Sequence, residues 1–125
     1  MNWLWVGIGG AIGSLARYGV WRLWPAAPGG FPVPTLTVNL LGSFAIGLLY
    51  VWISARSGAD GSDAVRLFWM TGVLGGFTTY SAFALETTLL GFSTTGLAYL
   101  FATLVGCFGA AWLGRIVATA MFVHG

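Results

Sequence analysis

Lysine is absent from this chain, and charge of either sign is scarce. Arg17, Arg22, Arg56, Arg66 and Arg115 stand against Asp60, Asp63 and Glu86, so 6% of the 125 residues are charged while 58% are hydrophobic. A water-soluble domain carries about 25% charged residues. A surface of this composition cannot face water throughout, and the chain reads as an integral membrane protein in contact with lipid. The net charge of +2 is far too small for a nucleic-acid footprint, which excludes that class of partner. Cysteine is nearly absent too. Cys107 alone excludes an intrachain disulfide and, inside an apolar stretch, reads as an inert buried thiol. No phosphate loop and no catalytic triad is visible, so no enzyme activity is expected. The N-terminus, "MNWLWVGIGG", lacks a basic region and a small-residue cleavage site, and reads as a retained first helix.

What the chain does have is long apolar runs. A helix needs about 20 apolar residues to cross a bilayer, and four segments fit: roughly Trp3 to Trp24, Thr35 to Ile53, Leu67 to Leu90 and Thr94 to Phe122. Between them, "PAAPGGFPVP" is too dense in proline and glycine for a helix, "ARSGADGSD" is a polar loop, and "GFST" is a tight turn. Residues 1–125 therefore form one all-α, four-helix transmembrane unit. Four spans put both termini on one side with Arg56, Arg66 and Arg115, leaving Arg17 and Arg22 on the other. The positive-inside rule needs a clear excess. Three against two leaves two readings open: lipid-specific cues decide, or the chain inserts both ways and an antiparallel homodimer becomes accessible.

Lipid tails are as apolar as leucine, so membrane helices associate where small residues let backbones approach. Each span offers a row: Gly9 and Gly13; Ser43 and Gly47; Gly72 and Gly76; Gly106, Ala110 and Gly114. Polar residues share helix faces by spacing: Thr35 with Asn39, Tyr80 with Phe83 and Glu86, and Tyr99 with Thr103 and Cys107. Four short spans enclose little volume, so oligomerisation is expected to turn these stripes inward.

The third span contains "LGGFTTYSAF". Gly75 and Gly76 weaken helix propensity by roughly 1 kcal/mol each, and the hydroxyls of Thr78 and Thr79 can bond freed carbonyls. An unwound turn at membrane depth would expose carbonyls that can ligate a cation. A mere kink, or Gly72 and Gly76 serving as a packing face, explains the same residues. The rings of Tyr80 and Phe83 have positive edges that favour an anion, although paired aromatics more often pack. Glu86 is an ionisable group inside a span and so a functional candidate. Its plainer explanation is an interfacial site with Arg17 or Arg22 as partner.

"GGFTTYSAF" resembles the GG-x-TT-F-S-T-F signature of the Fluc (CrcB) fluoride channels, and "TLTVNLLGSFAIG" and "GGAIGSLARY" resemble that family's second and first helices. The resemblance covers nearly the whole chain. It implies an antiparallel, dual-topology homodimer with two narrow pores, in the cell inner (plasma) membrane, its third helix broken. It also implies a central structural Na+ held by the backbone carbonyls of Gly75 and Thr78 from both subunits. The pore's phenylalanine pair matches Tyr80 and Phe83, with Tyr80 departing from the usual residue. Ser81 matches, and Ala82 replaces the threonine that follows it. Asn39 matches the pore asparagine. Arg17, Thr35 and Glu86 match the vestibule cluster, Tyr99 and Thr103 the polar stripe of the fourth helix, and Cys107 falls on a serine position of that stripe.

The function these expectations compose is passive, uniporting export of fluoride. Donors on Asn39, Ser81 and Thr103 and the ring edges would replace hydration in several weak steps. Two alternatives remain. A small multidrug-type transporter has similar length and dual topology but carries an essential acid in its first helix, where this chain has none. A non-transporting assembly protein would have no use for Asn39 and a broken helix at mid-membrane.

Overall fold

The computed structural model describes residues 1–56 and 62–123. Two long helices come first, α1 (Asn2–Leu23) and α2 (Val33–Ala55). The third apolar stretch is built in pieces: α3 (Ser62–Arg66), a π-helical segment (Leu67–Leu74), α4 (Gly75–Phe77) and α5 (Tyr80–Leu90). The fourth is a single helix, α6 (Thr94–Phe122). No strand occurs among the described residues. The expected polar loop falls largely outside those residues.

Local chemistry explains the boundaries. Helix α2 starts two residues before Thr35 because Pro34 sits in its first turn, where a missing N–H costs nothing and the fixed φ suits a helix. Gly91, at φ 65°, ends α5 in a left-handed conformation that a β-carbon would disfavour. The Ser93 side chain then caps α6 by accepting from Gly96 N at 3.0 Å. Helices α2 and α6 are long and apolar enough to cross a membrane, with mean hydropathies of 1.8 and 1.7. Their outer faces stay apolar and exposed: Phe101, Val105, Phe108 and Trp112 line one side of α6. In water such a face would be a liability; in lipid it is solvated.

The helices pack as two glycine-lined pairs. Helix α1 lies along the π-helical segment and α4, and α2 lies along α6. A β-carbon on Gly72 would come within 2.9 Å of Gly9 Cα, and one on Gly13 within 2.8 Å of Phe77 N. On the other pair, a β-carbon on Gly47 would meet the Ala111 carbonyl and stand 3.0 Å from Arg115 N, while one on Gly114 would stand 3.1 Å from Leu48 N. These contacts are backbone against backbone, so nothing larger than glycine fits. After the break the chain leaves α1, and α5 leans on α6 instead. The break thus carries the third stretch from one pair to the other. Helix α2 touches every other part and supplies Val38, which is as fully buried as Tyr99 and Ala118 on α6.

Candidate functional site

The site grows from the interruption between α4 and α5. The turn that the glycines and threonines together were expected to unwind opens at the threonines alone. Gly75 and Gly76 are helical, and the extended residues are Thr78 (φ −80°, ψ 156°) and Thr79 (φ −148°, ψ 114°). Gly76 instead provides close approach, since a β-carbon there would stand 2.5 Å from Gly10 O and 3.1 Å from Ser14 N. The packing-face explanation therefore holds for Gly72 and Gly76, and the unwinding belongs to the β-branched threonines, whose stiff side chains suit extended backbone. Gly75 is different. Its nearest neighbour to a built β-carbon is Met70 O at 3.8 Å, so it faces open space.

Buried backbone groups must find partners, and the break finds them in side chains. Asn39 on α2 behaves like a strand neighbour: Thr79 N donates to Asn39 Oδ1 at 2.8 Å, and Asn39 Nδ2 donates to Thr79 O at 3.1 Å. Thr78 Oγ1 donates back to Leu74 O at 3.0 Å. Thr79 Oγ1 caps α5 by accepting from Ala82 N at 3.2 Å. Arg17 on α1 donates to Thr78 O across a long 3.4 Å bond. One consequence follows from the helical repeat. The Thr79 N–H that would close the bond to Gly75 O is spent on Asn39, so the Gly75 carbonyl loses its helical donor.

Beside the break lies a cleft of about 430 Å³. It gathers most of the expected pore residues: Asn39, Tyr80, Phe83, Thr103 and Cys107, with Gly75 and Thr78 on the same wall. The Thr103 hydroxyl is buried and has no hydrogen-bond partner among the described residues. The rings form an edge-to-face series. Tyr80 meets Phe83 at 5.8 Å, Phe83 meets Tyr99 at 5.3 Å, and Tyr99 meets Phe31 at 5.6 Å between centroids. Phe83 is 5% exposed and Tyr99 fully buried, whereas Tyr80 is 79% exposed within this chain. Ser81 lies outside the cleft lining on the exposed side of α5, with its Oγ 3.3 Å from Thr79 Oγ1.

The vestibule residues form a second group. Thr35 Oγ1 donates to Glu86 Oε2 at 3.1 Å, and the Tyr99 hydroxyl donates to Glu86 Oε1 at 3.3 Å. Glu86 is thus held by two hydroxyls, and not by Arg17 or Arg22 as the plainer explanation expected. Arg17 turns to the Thr78 carbonyl and lies over the Trp21 ring, 5.3 Å from its centroid. A smaller cavity of about 210 Å³ is walled by Thr35, Glu86, Ala82, Pro34 and Trp21. Two participants, Trp21 and Phe31, carried no expectation, and Thr79, expected to bond a freed carbonyl, caps α5 instead. Thr79 was legible as a helix N-cap before a run of helix formers. Trp21 sits four residues after Arg17 on one face of α1. Phe31, inside a proline-rich loop, carried no signal.

The fold and the cleft define an all-helical membrane protein whose third apolar stretch is interrupted next to a chamber of ring edges, hydroxyls and one amide. Residues 4–115 match the family described as "CrcB-like protein, Camphor Resistance (CrcB)", and the chain belongs to that family. It is 46% identical over 121 residues to the "Fluoride-specific ion channel FluC" of Rhizobium meliloti, covering 93% of this chain and 94% of the relative. The relative of the same name from Paracoccus denitrificans is 42% identical over 124 residues, covering 97% of each chain. That from Agrobacterium fabrum is 45% identical over 122 residues, covering 94% and 95%.

Proposed function

We propose that this chain is a fluoride-selective channel, with four transmembrane spans and two copies assembled antiparallel around two pores. The observation that carries the reading is the cleft beside the Thr78–Thr79 break, where Phe83, Asn39 and Thr103 line one chamber and the buried Thr103 hydroxyl has no partner among the described residues. Fluoride binds its hydration water strongly, so a path must offer replacement donors before it takes the ion in. Ring edges carry partial positive charge, and an amide nitrogen carries two hydrogens, of which holding Thr79 uses one. Tyr80 adds a phenol at the exposed end, while Cys107 offers a weaker donor than a hydroxyl. Several modest sites in series let the ion enter without being trapped.

The dimer is supported by what the single chain leaves open. Tyr80, Gly75 and the cleft mouth are uncovered, although Asn39 and Thr103 behind them are polar. Lipid would solvate those groups poorly, and a second copy would enclose them. The backbone also suits a structural sodium ion. Carbonyl oxygens are hard donors suited to hard cations, Gly75 O lacks its helical donor, and Thr78 O keeps a lone pair beside its bond to Arg17. Gly75 and Thr78 would hold the ion, which supplies positive charge in a low-dielectric interior where anions pass. The near-balance of arginines across the spans fits insertion in both directions.

The test is flux from liposomes loaded with fluoride or chloride, read with ion-selective electrodes. Fluoride is expected to leave and chloride to stay; equal leakage of both ends the selectivity claim. Phe83→Ile removes the ring edge and is expected to lower fluoride flux at least tenfold while the protein still runs as a dimer. Exchanging sodium for a bulky organic cation is expected to abolish flux reversibly.

A further inference from the structure

Tyr99 joins the chamber to the vestibule. Its ring meets Phe83 at 5.3 Å between centroids, and its hydroxyl donates to Glu86 Oε1 at 3.3 Å. A third contact comes from outside the long helices. Phe31, in the connection between α1 and α2, meets the Tyr99 ring edge-to-face at 5.6 Å, with 79° between the planes. The backbone around Phe31 is built to hold that ring. Residues 27–30 make a turn of the type II pattern: Pro28 precedes Gly29, which has φ 74°, and Gly30 N donates to Ala27 O at 2.9 Å. Pro32 (φ −78°, ψ 72°) then makes an inverse γ-turn, in which Val33 N donates to Phe31 O at 2.8 Å. Pro32 and Pro34 are both buried. A proline also restricts the residue before it, so Phe31 keeps little backbone freedom. A loose connection would join two helices equally well; a stiff one fixes a side chain.

We infer that Phe31 is a positioning residue for conduction, holding the Tyr99 ring so that its hydroxyl stays on Glu86. The inference rests on the fluoride-channel reading and adds a residue to it. Phe31 acts through Tyr99 and need not touch the ion. At 3.3 Å the hydroxyl bond is long, so a small tilt of the ring breaks it. Glu86 then keeps only the donor from Thr35, at Oε2. A carboxylate oxygen left without its donor beside the path repels an anion, and in a low-dielectric setting that repulsion is strong.

Phe31→Leu keeps an apolar side chain and removes the ring. It is expected to lower fluoride flux from liposomes about three- to tenfold, the worth of one edge-to-face ring pair. Phe31→Tyr keeps the ring and is expected to match wild-type flux. Tyr99→Phe removes the hydroxyl and is expected to lower flux comparably. Adding Phe31→Leu to it is then expected to lower flux no further, because both changes break one bond. A side chain that only filled space would lose the same factor in either background. Unchanged flux in Phe31→Leu or in Tyr99→Phe, equal loss in Phe31→Tyr, or losses that multiply in the double variant overturns the inference. Phe31→Met, unbranched and adaptable, is the second ring deletion. Failure of both deletions to give monodisperse protein on size exclusion means that the ring serves folding, and overturns the inference as well. Wild-type protein that passes no fluoride overturns the channel reading instead.

Discussion

Asn39 is the residue on which the local structure turns. A break in a helix at membrane depth frees an N–H and a carbonyl that hydrocarbon cannot solvate, at several kcal/mol each. The Asn39 amide meets both at Thr79 with bonds of 2.8 and 3.1 Å. A carboxamide carries its acceptor oxygen and its donor nitrogen side by side, so it can meet the N–H and the carbonyl of one residue at once. Asn39→Ala is therefore expected to destabilise the protein by about 2–4 kcal/mol, read as a lower midpoint of thermal unfolding in detergent. Asn39→Asp keeps an acceptor for Thr79 N and, when protonated, offers an O–H donor to Thr79 O, so its loss should be the smaller if the side chain stays uncharged. A midpoint unchanged by Asn39→Ala would remove the clamp. Two roles thus meet in one amide, structural towards Thr79 and polar towards the cleft, and only the second was expected from the residue pattern.

At the scale of elements, the glycines of the third stretch divide by what they face. Gly76 lies against α1 so closely that a methyl group would press on Gly10 O and Ser14 N. Gly75, its neighbour, has room for one. Gly76→Ala is expected to cost about 1–3 kcal/mol, the usual toll of overpacking, and to lower the yield of monodisperse protein on size exclusion. Gly75→Ala is expected to leave the packing of the chain itself intact. Any harm from it should appear only in the proposed dimer, as faster subunit exchange. Equal loss of yield from both would contradict this division. The π-helical winding of Leu67–Leu74 precedes these glycines. Such winding is rare and gathers near functional sites; here it leads directly into the interrupted turn. It left no mark in the sequence, because the apolar residues there satisfy any helical winding in lipid.

For the molecule as a whole, the uncovered cleft and the exposed Tyr80 matter more than any single bond. They are the parts of the surface where polar groups and an apolar environment conflict, and the proposed second copy would resolve the conflict. If the copies run in opposite directions, a cysteine at Phe92, which is 96% exposed in the turn before α6, should label by about half from either side of the membrane. The background is Cys107→Ser, and the reagent is an impermeant maleimide on intact vesicles. Complete labelling from one side would mean a single orientation and sink the antiparallel arrangement.

The sequence by itself determined the solvent and the class, because composition and run length are properties a chain carries without folding. The apolar run alone placed the fourth helix at Thr94 to Phe122, the bounds it has in the structure. Motif order also identified the family, and with it most of the residues around the cleft. What only the tertiary structure decided was partnership. Whether Gly76 loosens a helix or packs one depends on Gly10 and Ser14, more than sixty residues away. Whether Glu86 pairs with an arginine or with two hydroxyls depends on where α2 and α6 bring Thr35 and Tyr99. The Asn39 clamp joins residues forty apart. Distances of that kind are set by how whole helices seat against one another, and no local pattern encodes them.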